Sequence, residues 1–204
     1  MKKPALVLLI AGAVVGGLVA VAGGIGALIY FGGRGFGVRP PTAEEKKLVV
    51  TASMLADRLK TDPRCETVTF KHNFDGSREI EAEYDSETCG ADFLSFNATA
   101  EIAPSLRDAR QSFALQIGAF KAGARVGGGA LHDAPGLLKG GDQRWAGQLK
   151  HGTTVVGNAF VLRQGRVVHA LFIVGIEFDD AEETTALFAP LLAESERQFG
   201  GKRT

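Results

Sequence analysis

Between Pro4 and Gly33 the chain carries no charged residue, and Ala5 to Phe31 is almost wholly apolar or glycine. A helix rises about 1.5 Å per residue and the hydrocarbon core of a bilayer is about 30 Å thick, so about twenty such residues cross it. Residues 1–33 are therefore expected to be a signal-anchor transmembrane helix, with everything after them a tethered domain. The competing reading is a cleavable signal peptide, with Lys2 and Lys3 as the basic start and Ala20-Val21-Ala22 as the cleavage site. Signal-peptide cores run to only about 7–15 apolar residues, which favours a retained anchor. Gly12, Gly16, Ala20 and Gly24 recur at every fourth position, so one helix face is lined with small residues. Such a face lets a protein partner or a second copy of the chain approach closely, although small residues are also common in membrane helices without that role.

The basic residues do not orient the span, because Lys2 and Lys3 flank one end and Arg34, Arg39, Lys46 and Lys47 the other. Lys2, Lys3, Arg34 and Arg39 all precede the first acid, Glu44. Taking these four from 23 basic residues leaves 19 against 23 acidic ones, a net −4 for residues 44–204. A mildly acidic domain lacks the basic surface that phosphate backbones require, so nucleic acid is not expected as a partner. Residues 42–200 have the length of one domain with a sizeable core.

Residues 34–41 read as a flexible linker. Gly32-Gly33-Arg34-Gly35-Phe36-Gly37 loosely resembles a phosphate-binding loop or an Arg-Gly tract, but no strand precedes it and no helix follows directly. Pro40-Pro41 stiffens its end. Thr42-Ala43-Glu44-Glu45 has the spacing of a capping box. The apolar stripe Leu48, Val49, Ala52, Leu55, Ala56 and Leu59 predicts one helix from there to Asp62-Pro63.

Val68, Phe70, His72 and Phe74 alternate with polar residues, as do Ile80, Ala82 and Tyr84, then Leu94, Phe96, Ala98, Ala100 and Ile102. These are three half-buried strands. Glu79, Glu81 and Glu83 read as the solvated face of the second strand rather than as metal ligands, since no His or Cys accompanies them at ligand spacing. Asp75-Gly76 is a hairpin signal; a two-residue turn would face Phe74 with Ser77 and set Cys65 opposite Ser86, three residues from Cys89. A Cys65–Cys89 disulfide is expected, which would place the domain in an oxidising compartment. Two buried free thiols are the alternative.

Pro104 opens a second helix with the stripe Leu106, Ala109, Phe113, Ile117 and Phe120, ending near Gly123. A short strand is expected over 125–130, a loop from His132 to Gly141, a strand over 144–150, and a hairpin of 155–163 with 166–177. Val167 to Val174 is apolar on both faces, which marks the centre of the sheet. Asp179 and Asp180 cap the last helix, which Pro190 should kink or restart. The order predicts an α+β fold: a sandwich of a largely antiparallel sheet with helices on its faces.

Gly141-Asp142-Gln143-Arg144-Trp145, Gly152, Gly157 and Arg163-Gln164-Gly165-Arg166-Val167-Val168, followed by a capped helix, resemble the C-terminal half of PsbP-like domains of bacterial exported proteins. The resemblance spans residues 141–200. It implies an α/β/α sandwich that binds proteins or small ligands, usually without catalysis. The chain lacks the lipobox cysteine of the exported lipoproteins, and no functional residues carry over.

Hydrolase, metalloprotease and nucleotide-loop motifs are absent from the sequence, and no cofactor is expected. His72 and His169 sit in strand patterns and read as core histidines. His132, Asp133, Asp142, Arg144 and Trp145, the sole tryptophan, gather in one loop region and form the candidate ligand site, with a structural capping loop as the plainer reading. The expectation is a single-pass protein of a bacterial inner membrane, its domain periplasmic or outside the cell. There it would act as a non-catalytic binding subunit or, alternatively, as a small-ligand sensor or carrier.

Overall fold

A computed structural model describes residues 37–56, 63–85 and 94–200. The strands are β1 Glu66–His72, β2 Arg78–Asp85, β3 Ser95–Ile102, β4 Ala130–Asp133, β5 Gln143–His151, β6 Thr154–Gln164 and β7 Val167–Val174. They form one sheet in the order β1-β2-β3-β7-β6-β5-β4, with every neighbouring pair antiparallel. Helices α1 Ala43–Lys46, α2 Leu106–Val126 and α3 Ala181–Phe199 accompany it. The described residues thus form the expected α+β fold, an antiparallel sheet with helices. The doubly apolar strand β7 is its middle strand, and all eight of its residues are buried.

Alternation along the strands splits the core in two. On one face Phe70, Ile80, Phe96, Phe160, Leu171 and Ile173 pack with Phe188 and Leu191 of α3 and with Leu48 to Leu55. On the other, Val161, Val168 and Ala170 pack with Ala109, Phe113 and Ile117 of α2. Caps form where the sequence places them. Ser105 accepts from the Asp108 N–H (3.2 Å) and Asp180 from the Glu182 N–H (2.7 Å). At Gly157 an added Cβ would lie 2.1 Å from the Ile173 carbonyl oxygen, so only glycine lets β6 run this close to β7.

Several local expectations give way. The capping box exists, Thr42 Oγ1 accepting from the Glu45 N–H (3.3 Å) and Glu45 Oε2 from the Thr42 N–H (2.8 Å), but the helix it starts ends at Lys46. Leu48, Val49 and Val50 come next, all buried, and then a single 3-10 turn, Ala52–Leu55. Three consecutive residues cannot share one helix face, so an irregular chain that buries all three replaces the predicted helix. The second half of the linker is also docked. Arg39 and Phe70 exchange two backbone hydrogen bonds (3.0 and 2.9 Å), and the Arg39 guanidinium lies 3.9 Å from the Phe70 ring centroid and 2.6 Å from Glu45.

The β1–β2 turn has three residues, Phe74-Asp75-Gly76, because Asn73 rather than Phe74 faces Ser77. Asp75 Oδ1 accepts from the Ser77 N–H (2.8 Å) and hydroxyl (2.7 Å), and Gly76 takes φ +83°. A type I turn closed by a left-handed glycine explains the extra residue. The register therefore slips by one: Glu66 faces Tyr84, and one further step sets Cys65 against Asp85 rather than Ser86. Cys65 is buried and disulfide-bonded; Cys89 lies outside the described residues. Helix α2 runs past Gly123 to Val126, since Gly123 and Ala124 are buried small residues that let the helix lie close to the sheet. This leaves β4 to begin at Ala130, so His132 and Asp133 are strand residues. Helix α3 runs unbroken through Pro190, which faces solvent, where a freed carbonyl can bond water.

Candidate functional site

The five residues of the expected ligand loop do not converge. Asp133 and Trp145 face the α2 side, where the Trp145 indole N–H donates to Asp133 Oδ1 (3.0 Å) and Lys121 Nζ lies 2.8 Å from the same oxygen. Lys121 and Trp145 together hold the Asp133 carboxyl below its ordinary range. His132 and Arg144, one position away along their strands, take the opposite face and are exposed. Asp142 Oδ2 accepts from Arg163 Nη1 (3.1 Å) and the Gly165 N–H (2.9 Å). Arg163 also donates to Gln143 (2.6 Å) and to the Gly165 carbonyl (2.7 Å), a clamp on the β6–β7 turn. Asp142 and Arg163 of the resemblance motif thus hold this turn together.

The register points elsewhere. One row across the sheet reads Thr69, Glu81, Thr99, Ala170, Val161, Trp145. Val161 and Ala170 are buried against α2, whereas the members on β1 to β3 are polar. The rows beside it read Lys71, Glu79, Glu101, Val168 and Thr67, Glu83, Asn97, Phe172. Helix α2 therefore seals the half of this face made by β7 and β6, and the described residues leave the β1–β3 half to side chains that stay half-buried or exposed. Lys71, Asn97, Thr99 and Glu101 were hidden from sequence reasoning, since only the strand order sets them beside Glu79, Glu81 and Glu83.

Among the described residues five carboxylates, Glu79, Glu81, Glu83, Asp85 and Glu101, share this half-face with the Lys71 ammonium. Lys71 Nζ pairs with Glu81 and lies 3.7 Å from Glu79, while Asn97 Nδ2 donates to Glu81 (2.9 Å) and Ser112 of α2 donates to Glu101. The Thr99 hydroxyl oxygen is buried and makes no hydrogen bond. Burial, then repulsion from Glu81, pushes the Glu79 carboxyl up to about 7, and burial foremost also raises Glu83 and Glu101. Burial pulls the Lys71 ammonium down, but Glu81, Glu79 and Glu83 outweigh it and raise the group. Among the described residues the carboxylates of this face outnumber its ammonium.

The raised Glu79 carboxyl makes stability depend on pH. A carboxyl whose folded pKa is raised contributes fully at low pH and loses that contribution as pH rises from about 4.5 to about 7. Glu79→Gln should therefore stabilise the protein by about 1–2 kcal/mol at pH 8 and by almost nothing at pH 4.5. Urea unfolding at the two pH values reads this directly, and a gain equal at both would mean that the charge of Glu79 is not what costs stability.

No family model, curated protein or solved structure matches the chain. Among the described residues no group of His, Cys, Asp and Glu could hold a metal ion, and no helix is long and apolar enough to cross a membrane. The expected span and its face of Gly12, Gly16, Ala20 and Gly24 lie outside the described residues.

Proposed function

We propose that this chain is a membrane-anchored, non-catalytic binding domain of the bacterial envelope, acting as an accessory subunit that holds another protein. The observation that carries the reading is the half-covered sheet face among the described residues: α2 seals β7 and β6, and β1 to β3 present Glu79, Glu81, Glu83 and Glu101 around Lys71. A partner segment bearing Lys or Arg would neutralise these charges and continue the layer that α2 begins. Support for a non-catalytic role comes from the polar groups already engaged, Asp133 with Lys121 and Trp145, Asp142 with Arg163, and His169 with Ser195. The apolar stretch Pro4–Gly33 supports the anchor, and the disulfide-bonded state of Cys65 supports an oxidising compartment.

The test is site-specific photocrosslinking of the full chain in its native membrane, with the photoreactive residue at exposed Thr67 or, as the control, at exposed Leu115 on α2. A stoichiometric protein adduct is expected at position 67 and not at 115. It should weaken at high salt and disappear with Glu83→Lys, because exposed charges are screened within about 10 Å at 0.1 M salt. No adduct at 67, or one indifferent to both changes, would remove this face as the binding surface.

A further inference from the structure

We propose that the end of the domain from which the N-terminal segment departs is a lipid-docking surface, with Val38, Phe74 and Leu106 entering the headgroup layer of the bilayer that Pro4–Gly33 spans. The inference rests on the proposed membrane anchor and adds which surface of the domain meets the membrane.

The direction of departure is set by one backbone pair. Arg39 pairs antiparallel with Phe70, so the chain traced backwards through Val38 to Gly37 runs along β1 toward His72. His72 faces Arg78, Arg78 faces Ile102, and Ile102 faces Val167. One end of the sheet therefore gathers the β1–β2 turn, the β3–α2 junction and the β6–β7 turn. They lie close together: a Cβ built on Gly76 would be 3.7 Å from Pro104, and Arg166 donates to the Pro104 carbonyl (3.1 Å).

That end carries exposed apolar surface. Among the described residues five large apolar side chains are exposed, and Val38 (60%), Phe74 (58%) and Leu106 (47%) belong to this end. Leu115 and Val126 lie further along α2. Exposed Arg107 and Arg110 follow Leu106 and suit anionic headgroups, beside the exposed Asp75 and Asp108, which accept hydrogen bonds from Ser77 and Ser105. Apolar side chains flanked by arginine are the chemistry that settles at the boundary of headgroup and acyl chain.

The tether is short. Four residue steps separate Gly33 from Gly37 and six separate Phe31 from it, a reach of at most about 14–22 Å when fully extended. The headgroup layer takes about 5–8 Å of that, so this end has no room to stand more than about 15 Å clear of the membrane. A surface held this close repeatedly meets lipid.

The experiment uses the full chain reconstituted into phosphatidylcholine vesicles containing about one quarter phosphatidylglycerol. A fluorophore is attached through Phe74→Cys, Leu106→Cys or, as the control at the other end of α2, Val126→Cys. Quenching by spin-labelled lipid is expected to be several-fold stronger at 74 and 106 than at 126. Equal quenching at all three positions overturns the proposal. So does shielding of 74 and 106 from aqueous iodide without lipid quenching, which would show a protein or a second copy on this surface. Washing the same vesicles with alkaline carbonate separates the two readings. Loss of the chain defeats the anchor and this inference together, whereas a retained chain whose labels at 74 and 106 stay unquenched by lipid defeats only the inference.

Discussion

Phe160→Ala is expected to lower the unfolding free energy by about 3–5 kcal/mol, the range seen when a large buried aromatic side chain is truncated. Phe160 is fully buried on β6, and its ring packs edge-on against Phe178 (centroids 5.9 Å apart) and Phe188 (5.7 Å). It thus joins the sheet to the chain leading into α3 and to α3 itself. Truncation removes the transfer energy of the ring, leaves a cavity between strand and helix, and loses two aromatic contacts worth about 0.5–1.5 kcal/mol each. Phe160→Leu keeps most of the volume and should cost less than half as much. Urea unfolding followed by Trp145 emission measures both. A loss below about 1 kcal/mol for the alanine variant would mean that α3 does not depend on this contact.

Acidification should destabilise the protein through His169. This residue of β7 is buried between the sheet, Leu48 and α3, with Nε2 2.8 Å from Ser195 Oγ. Burial lowers its pKa to about 4, and the Leu48 backbone offsets only part of that effect. The unfolded chain binds a proton at this histidine below about pH 6.5 while the folded chain stays neutral, so unfolding takes up a proton between those values. Stability is then fully present above about 6.5 and falls as pH drops, with up to about 3 kcal/mol lost by pH 4. Because Glu79 moves stability the opposite way over part of this window, the decisive quantity is the difference between the parent and His169→Gln. The variant should lack this acid-side loss whatever its absolute stability, and parallel pH curves for the two proteins would rule the mechanism out.

Most elements were legible in the chain because their signals are local. The alternation Leu94, Phe96, Ala98, Ala100, Ile102 needs no partner to declare a strand, and the stripe Ala109, Phe113, Ile117 and Phe120 declares a helix. Where two local signals competed, the pattern misled. Leu48 and Val49 fitted a helical stripe, but Val50 beside them also needed burial. Asp75-Gly76 fitted a two-residue turn, but the Asp75 carboxylate reaches Ser77 and opens the loop by one residue. The five residues of the candidate site stand apart for a related reason. His132, Asp133, Asp142, Arg144 and Trp145 are close in sequence, yet strand pleating sends neighbours to opposite faces: Asp133 and Trp145 meet Lys121 on one, His132 and Arg144 are exposed on the other, and Asp142 holds Arg163.

Composition and periodicity alone therefore settle that a long uncharged apolar segment precedes an acidic α+β domain, and that Val167–Val174 is its most buried strand. Each of those properties belongs to a run of residues or to a sum over them. What covers a face, which carboxylates become neighbours and where the N-terminal segment leaves belong to pairs far apart in the chain. Glu81 stands beside Thr99 only because β2 pairs with β3, and Gly37 lies toward the His72 end of β1 only because Arg39 pairs antiparallel with Phe70. Pairings of that kind are chosen by the packing of the whole sheet, so the half-sealed acidic face and the apolar exit end exist only once it has assembled.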